Sequence, residues 1–157
     1  MKSLFPRSAL SAGSARALMI VASLVTIGCG ESSSGPQPVD EYAAVAGTYT
    51  LMSLNQQTLP AKLFEDATER VDVTSATLVM RGNRTFTETL DSQVRLNGGQ
   101  PQGDQQVHNG TFTLSGATAT FTVPAANGFP PFGFSGTITG KVLVYTDDLA
   151  TYRYERP

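Results

Sequence analysis

The stretch that most constrains the fold is Gly110 to Val123, GTFTLSGATATFTV. Thr recurs at alternate positions on both sides of Ser115-Gly116, and apolar residues fill the positions between. This period of two is typical of a half-buried β-strand, because successive side chains of a strand point to opposite faces. A two-residue Ser115-Gly116 turn predicts a hairpin with Phe112 opposite Ala119 on one face and threonines opposite threonines on the other.

The C-terminal region repeats this pattern. A turn at Gly140-Lys141 is expected to place Gly136 opposite Tyr145, so that an aromatic ring covers a glycine. A second turn, at Asp147-Asp148, is expected to place Tyr145 opposite Ala150. The predicted buried face of these strands contains Phe132, Phe134, Ile138, Leu143, Tyr145, Tyr152 and Tyr154.

The alternation is less regular before Gly110. Gly47 to Leu54 is predicted to be the first strand. The apolar positions between Val71 and Met80 change parity near Thr74-Ser75, which indicates either a β-bulge or a break between two strands. We expect Ala61 to Thr68 to form one helical turn or a lid-like loop, and Asn97 to Asn109 to form a mobile loop rich in Gly and Gln.

The N-terminal region has a different character. The basic residues Lys2, Arg7 and Arg16 precede an uncharged apolar run, Ala17 to Ile27, of about 11 residues. A helix needs about 20 apolar residues to cross a bilayer core. The run therefore has the length of the apolar region of an export signal.

The residues Thr26-Ile27-Gly28-Cys29 resemble the lipobox of bacterial lipoproteins. The resemblance implies that residues 1–28 are a signal peptide and that Cys29 is lipidated, for example with palmitate, and becomes the mature N-terminus. It also implies a membrane anchor in the cell envelope. Gly30 is not the Asp of an inner-membrane retention signal, which implies the outer membrane, facing the periplasm or the cell surface. The alternatives are an ordinary secretory signal or a short uncleaved anchor.

Composition supports this division of the chain. Residues 29–45, which include the Ser- and Pro-rich stretch ESSSGPQPVD, are expected to be a flexible tether, and residues 46–157 a single domain. Without residues 1–28 the chain has 8 basic and 13 acidic side chains, a net charge of −5, which does not favour nucleic acid or anionic lipid as a partner. Acylation of Cys29, the only cysteine, excludes disulfides and metal-thiolate sites.

The order of elements resembles the lipocalin-like lipoprotein domains of bacteria. A Gly-x-aromatic opening strand, Gly47-Thr48-Tyr49, is followed by a run of hairpins and a closing aromatic strand. This resemblance implies an all-β fold, a single antiparallel up-and-down (meander) barrel of about eight strands, whose interior can hold one small hydrophobic ligand. The alternative is an open β-sandwich or half-barrel with a solid core.

Glu88 is the candidate site residue whose predicted position is the most unusual for its residue type. It shares the parity of Phe86 and Leu90, so it faces inward, where a carboxylate is costly unless an arginine or a hydroxyl meets it. One interpretation is a rim position or an ion pair with Arg70 or Arg153. The other is the polar end of a ligand cavity, formed together with Tyr145, Tyr152 and Tyr154. The predicted ligand-binding residues are Glu88, Phe86, Phe112, Phe121, Phe134, Tyr145 and Tyr152.

No residue set predicts an enzyme, a metal site or a cofactor. His108, the only histidine, is expected in the mobile loop without a neighbouring acid, and a carboxylate beside it would favour catalysis. The binding module is therefore preferred. The alternative is a structural lipoprotein with no ligand, whose unidentified protein partner meets the loops Asn97–Asn109 and Pro124–Pro131, where Phe129 and Phe132 form a contact patch or plug the barrel.

Overall fold

A computed structural model describes residues 40–126 and 130–157. The signal peptide, Cys29 and Phe129 lie outside the described residues. No helix in the described part of the chain is long and apolar enough to span a membrane. The elements in chain order are α1 (Glu41–Val45), β1 (Gly47–Leu54), β2 (Gln57–Thr58), β3 (Ala61–Glu65), β4 (Glu69–Met80), β5 (Thr85–Leu96), β6 (Gln102–Ser115), β7 (Thr118–Val123), β8 (Phe132–Thr139), β9 (Val142–Thr146) and β10 (Thr151–Glu155).

The strands form a closed antiparallel meander barrel of eight strands, which confirms the lipocalin-like up-and-down architecture. Strands β4 to β10 pair in sequence order, and β1 closes the barrel by pairing with both β10 and β4. Strand β2 lies beside the end of β1, and β3 lies beside the first half of β4. Closure leaves the barrel strands without a free edge over their paired lengths, unlike an open sandwich or half-barrel.

The hairpins confirm the predicted faces but correct two registers. Phe112 lies opposite Phe121 rather than Ala119, because the two-residue loop is Gly116-Ala117 and not Ser115-Gly116, with Gly116 at a left-handed φ of 59° and Ser115 paired with Thr118. Tyr145 lies opposite Tyr152 rather than Ala150. Both shifts are of two residues, so every side chain keeps its face. Gly136 lies opposite Tyr145, as predicted.

The parity change in β4 is a β-bulge, and the alternative of a strand break is wrong. The pairing with β5 shifts between Val73 and Ser75, while β4 continues as one strand from Glu69 to Met80. One extra residue on the bulged strand lets Val73 and Ala76 both face the core although their numbers differ in parity.

Three expectations for the less regular segments are wrong. The segment Ala61 to Thr68 contains β3, and most of Asn97 to Asn109 belongs to β6. Strand β3 and the first half of β6 have few strand-forming residues. They are extended because pairing with the long strands β4 and β5 satisfies the backbone donors and acceptors of these two segments. The folded region also begins earlier than expected, because the stretch 29–45 includes α1.

Helix α1 covers one end of the barrel, which we call the closed end. Asp40 caps α1, since its Oδ1 accepts a hydrogen bond from the Tyr42 N–H at 3.0 Å. The Tyr42 ring packs on Phe112 with centroids 5.6 Å apart, and the Arg84 guanidinium lies 4.4 Å above the same ring. Arg156 donates hydrogen bonds to the carbonyls of Ala44 and Ala46. The opposite end, where β4, β5 and β6 extend past β7, is the open end.

Candidate functional site

The six aromatic residues among the predicted ligand-binding residues form a column of rings inside the barrel. The Phe121 and Phe134 rings stack with centroids 4.7 Å apart, and the Phe134 and Tyr145 centroids are 4.4 Å apart. Tyr145 then stacks on Tyr152 at 4.5 Å. The column also includes Phe86 and Phe112, both in contact with Phe121. These rings pack on each other from Phe112 in the closed half to Tyr145 and Tyr152 beside Glu88, so they fill this part of the interior rather than surround an empty volume.

Glu88 lies on the inner face of β5 and is 3% exposed. Its Oε1 accepts hydrogen bonds from the hydroxyls of Tyr145 and Tyr154, both at 2.8 Å. Tyr152 contributes its ring, stacked on Tyr145, and makes no hydrogen bond to this carboxylate. The inward position is therefore confirmed, and hydroxyls are the groups that compensate the burial of the carboxylate.

The predicted arginine partners of Glu88 are wrong. Arg70 pairs with Asp72 at 2.8 Å, and Arg153 pairs with Glu155 at 2.6 Å. Each arginine stands two residues from its acid on the same strand, so the pairs form along the strand surface. Neither guanidinium enters the barrel to reach Glu88.

The two tyrosines are held in their protonated form. Burial raises the pKa of Tyr145 and of Tyr154 far above the ordinary value of 10.0, and the neighbouring Glu88 carboxylate raises both further. Both hydroxyls therefore keep their hydrogens and act as donors to Glu88. Burial also raises the pKa of Tyr152, with a further contribution from Asp147.

His108 lies in β6 directly opposite Glu88, and not in a loop. Its Nδ1 is 3.2 Å from Glu88 Oε2, and its side chain is 28% exposed. Sequence reasoning missed this pair, although the signal was present: His108 has the same parity as Gly110 and Phe112, which are inward-facing residues of the same strand. The buried carboxylate therefore has a histidine between it and solvent.

Phe132 stands beside this pair at the open end. Its ring contacts the His108 ring edge to face, with centroids 5.2 Å apart. Strand β7 ends at Val123, so the first half of β6 lacks a neighbour on that side and Phe132 reaches across from β8. Phe132 is 43% exposed, which corrects its predicted place on the buried face.

An apolar surface extends from Glu88 along the projecting part of the sheet. Phe64, Val71 and Val94 are register partners across β3, β4 and β5, so they share one face. Val94 and Leu96 share the parity of Glu88 along β5, which makes this face continuous with the barrel interior. We call these four residues the apron; Phe64 and Leu96 are exposed, and Val71 and Val94 are half-buried.

Charge is distributed unevenly between the two ends. The open half has nine carboxylates against three basic side chains, of which Arg70 and Lys62 are already paired with carboxylates. The closed half has five basic side chains against three acidic ones. The open-half carboxylates are Glu65, Asp66, Glu69, Asp72, Glu88, Asp91, Asp104, Asp147 and Asp148, and the third basic residue is Arg95. The open end therefore favours cations.

Two shallow grooves lie on the outer face of β7 to β9, with volumes of about 550 and 570 Å³. Thr and Ser are most of the lining residues of the first groove, whereas the second is lined by Phe121, Pro131, Phe132 and Phe134 beside Thr120, Thr122 and Ser135. Neither groove includes Glu88 or His108. Within the described ranges, no group of three or more His, Cys, Asp or Glu side chains is placed to hold a metal ion. Comparison with protein-family models, curated proteins and solved structures finds no match to this chain.

Proposed function

We propose that this protein is an exported lipoprotein, anchored in the cell envelope through Cys29, whose barrel binds a small hydrophobic ligand at the open end. The apolar run Ala17–Ile27 and the lipobox-like residues before Cys29 support export and anchoring. Asp40, the first described residue, lies at the closed end, 11 residues after Cys29.

The observation that carries the binding proposal is the arrangement around Glu88. A barrel that needed only a packed core has no use for a carboxylate there, because burying it costs free energy until three partners satisfy it. The partners are two tyrosines and a histidine, and only the histidine reaches solvent. The exposed ring of Phe132 contacts that histidine, and binding sites typically combine apolar surface with a few convergent polar groups.

The packing of the rings limits where the ligand sits. Phe86, Phe112 and Phe121 are almost fully buried against one another, so they form the floor of the site. The ligand then contacts His108 and Phe132 above that floor. This placement moves the ligand from the centre of the barrel to its mouth, so Phe86, Phe112 and Phe121 support the site from below instead of lining it.

We propose binding rather than catalysis. The pairing of His108 with Glu88 is the observation that favours an enzyme. In residues 40–126 and 130–157, however, His108 has no side-chain hydrogen-bond partner other than Glu88, so no hydroxyl stands ready as its nucleophile. A structural lipoprotein with a protein partner remains the alternative that the binding experiments address.

The anchor is tested with the full chain expressed in a Gram-negative host that is fed an alkyne-tagged palmitate. The parent is expected to incorporate the tag and to fractionate with membranes. Cys29→Ser is expected to lose the tag, and Ser32→Ala, a nearby substitution outside the lipobox, is expected to retain it. Equal labelling of parent and Cys29→Ser contradicts lipidation at this residue.

The ligand site is tested on the mature chain, residues 29–157, which contains every described residue. The uncharged dye Nile red is expected to bind and to fluoresce. Phe132→Ser is expected to weaken binding by about tenfold, which corresponds to about 1.4 kcal/mol of lost apolar contact. Met52→Ser removes an equally exposed apolar side chain from the outer face of β1, outside the barrel interior, and is expected to bind as the parent does. Absence of binding by the folded parent favours the protein-interaction alternative.

A further inference from the structure

We propose that the open end selects amphiphiles with a protonated amine head group, an inference that rests on the proposed binding function. The recognition unit is His108, oriented by Glu88, together with the excess of carboxylates at this end. The apron and Phe132 would hold the apolar part of the same molecule. No motif in the sequence indicates this selectivity; it follows from the hydrogen bonds around one carboxylate.

The first step concerns the hydrogen on the His108 ring. An ionised carboxylate only accepts hydrogen bonds, and Glu88 already accepts two at Oε1 from tyrosine hydroxyls. The remaining oxygen, Oε2, lies 3.2 Å from Nδ1. In this proposal the hydrogen of a neutral His108 ring lies on Nδ1, which donates it to Oε2 of the ionised carboxylate. A neutral imidazole with hydrogen on Nδ1 has a lone pair on Nε2. His108 therefore offers an acceptor to any ligand that reaches it.

The second step concerns which head group fits that acceptor. A primary ammonium has three donors and no acceptor, so it matches the Nε2 lone pair, whereas a carboxylate offers only acceptors. Nine carboxylates against three basic side chains add a long-range preference for the cation. A hydroxyl can donate to Nε2 but gains nothing from the surrounding charge. The expected order of affinity is therefore amine, alcohol, carboxylate.

The third step concerns the apolar part of the ligand. Phe132 contacts the His108 ring, and the apron begins on the same inner face of β5. Val94 stands six residues beyond Glu88, which is about 20 Å along a strand. A linear alkyl chain with its head at His108 contacts Phe132 first. Only a tail longer than the dodecyl group reaches Val94 and then Leu96, with Phe64 beside them.

The test compares three probes that share one tail: dodecylamine, dodecanol and dodecanoate, each below its micelle concentration. Binding to residues 29–157 is measured by calorimetry near neutral pH. We expect the amine to bind at least about tenfold more tightly than the alcohol, the ratio for one charge-assisted hydrogen bond. Equal affinities for all three overturn the selectivity and leave the binding function standing. No binding of any probe to folded protein overturns both proposals.

Glu88→Gln provides a sharper test because it reverses the role of the histidine. The glutamine oxygen still accepts from the tyrosines, and its NH₂ group donates to Nδ1, which moves the ring hydrogen to Nε2. Nε2 then donates rather than accepts, so the amine is expected to lose at least about tenfold in affinity while dodecanoate gains. Glu69→Gln removes one charge from the same half of the barrel without touching His108 and serves as the matched control.

Nuclear magnetic resonance measures directly which ring nitrogen of His108 carries the hydrogen. Because His108 is the only histidine, one imidazole signal set reports its tautomer in a two-bond ¹H–¹⁵N spectrum. We expect hydrogen on Nδ1 in the parent and on Nε2 in Glu88→Gln. Hydrogen on Nε2 in the parent overturns the inference whatever the affinities are.

Discussion

The closed and open halves of the barrel contrast although the same strands build both. In the closed half, β5 and β6 contribute Phe86 and Phe112 to the interior, and Tyr42 of α1 packs on Phe112. In the open half the same two strands contribute Glu88 and His108, with no helix above them among the described elements. The pairing of β5 with β6 continues without a register shift from one half to the other, although β7 pairs only with the closed half of β6. On these two strands, the contrast lies in which side chains occupy the inward positions.

This contrast separates stability from recognition. Contacts between apolar rings give their full free energy once water is excluded, and the closed half excludes it. The polar groups of the open half contribute little net stability, because their hydrogen bonds replace hydrogen bonds to water. They fix the orientation of a few atoms instead. Substitutions in the two halves should therefore differ in which property they change.

The largest expected effect is loss of stability in the closed half. Phe121→Ala should lower the free energy of unfolding of residues 29–157 by about 3 to 5 kcal/mol, because it removes a fully buried ring that contacts Phe86, Phe112 and Phe134. Urea denaturation followed by circular dichroism measures the change. A loss below about 1 kcal/mol shows that the column collapses around the gap, and the closed half then does not carry the stability.

The next prediction tests whether the buried tyrosine hydroxyls of the open half need the Glu88 carboxylate for stability. Glu88→Leu should cost about 2 to 4 kcal/mol, because the hydroxyls of Tyr145 and Tyr154 are left buried without an acceptor. Adding Tyr145→Phe and Tyr154→Phe to that variant should recover most of the loss, since all three polar groups are then removed together. Urea denaturation of the single and triple variants provides the measurement. Failure of the triple variant to recover shows that shape, not hydrogen bonding, sets the cost.

The sequence was sufficient for the barrel and for the inward position of Glu88. Alternation of Thr with Phe in β7 and of Val with Tyr in β9 assigns faces without reference to any distant residue. The same alternation on β5 places Glu88 among apolar neighbours. Faces are a local property of a strand, so they are accessible from local sequence.

The partners of Glu88 were not accessible in the same way. Its histidine comes from a strand whose first half, QGDQQVH, has no apolar alternation, and pairing with β5 alone makes it extended. Registers depend on where a turn begins, and one glycine at 116 or one capping Asp147 moves a register by two residues. Which residues pair across two strands therefore depends on distant parts of the chain, even where the face of each residue is known from local sequence.

Alkaline pH should destabilise the open half through its tyrosines. The native pKa values of Tyr145 and Tyr154 are raised, so the stability they contribute is complete below the unfolded value of 10.0 and is lost as pH rises above it. Each tyrosine should lower the free energy of unfolding by about 1.4 kcal/mol per pH unit in that range. Tyr145→Phe should reduce the slope by that amount, measured by urea denaturation at several pH values. An unchanged slope shows that Tyr145 does not hold its proton more tightly in the folded state.

The smallest expected change in stability belongs to the ring at the mouth. Phe132→Ala should cost less than about 1 kcal/mol, because 43% of the residue is already exposed and its main aromatic contact is the half-buried His108. The same variant should lose affinity for Nile red, measured beside its urea denaturation. This one variant distinguishes a role in the core from a role in recognition. A large loss of stability makes Phe132 part of the core, with no surface left there for a ligand. A small loss of stability with weaker binding assigns the ring to recognition, as its position beside His108 and Glu88 requires.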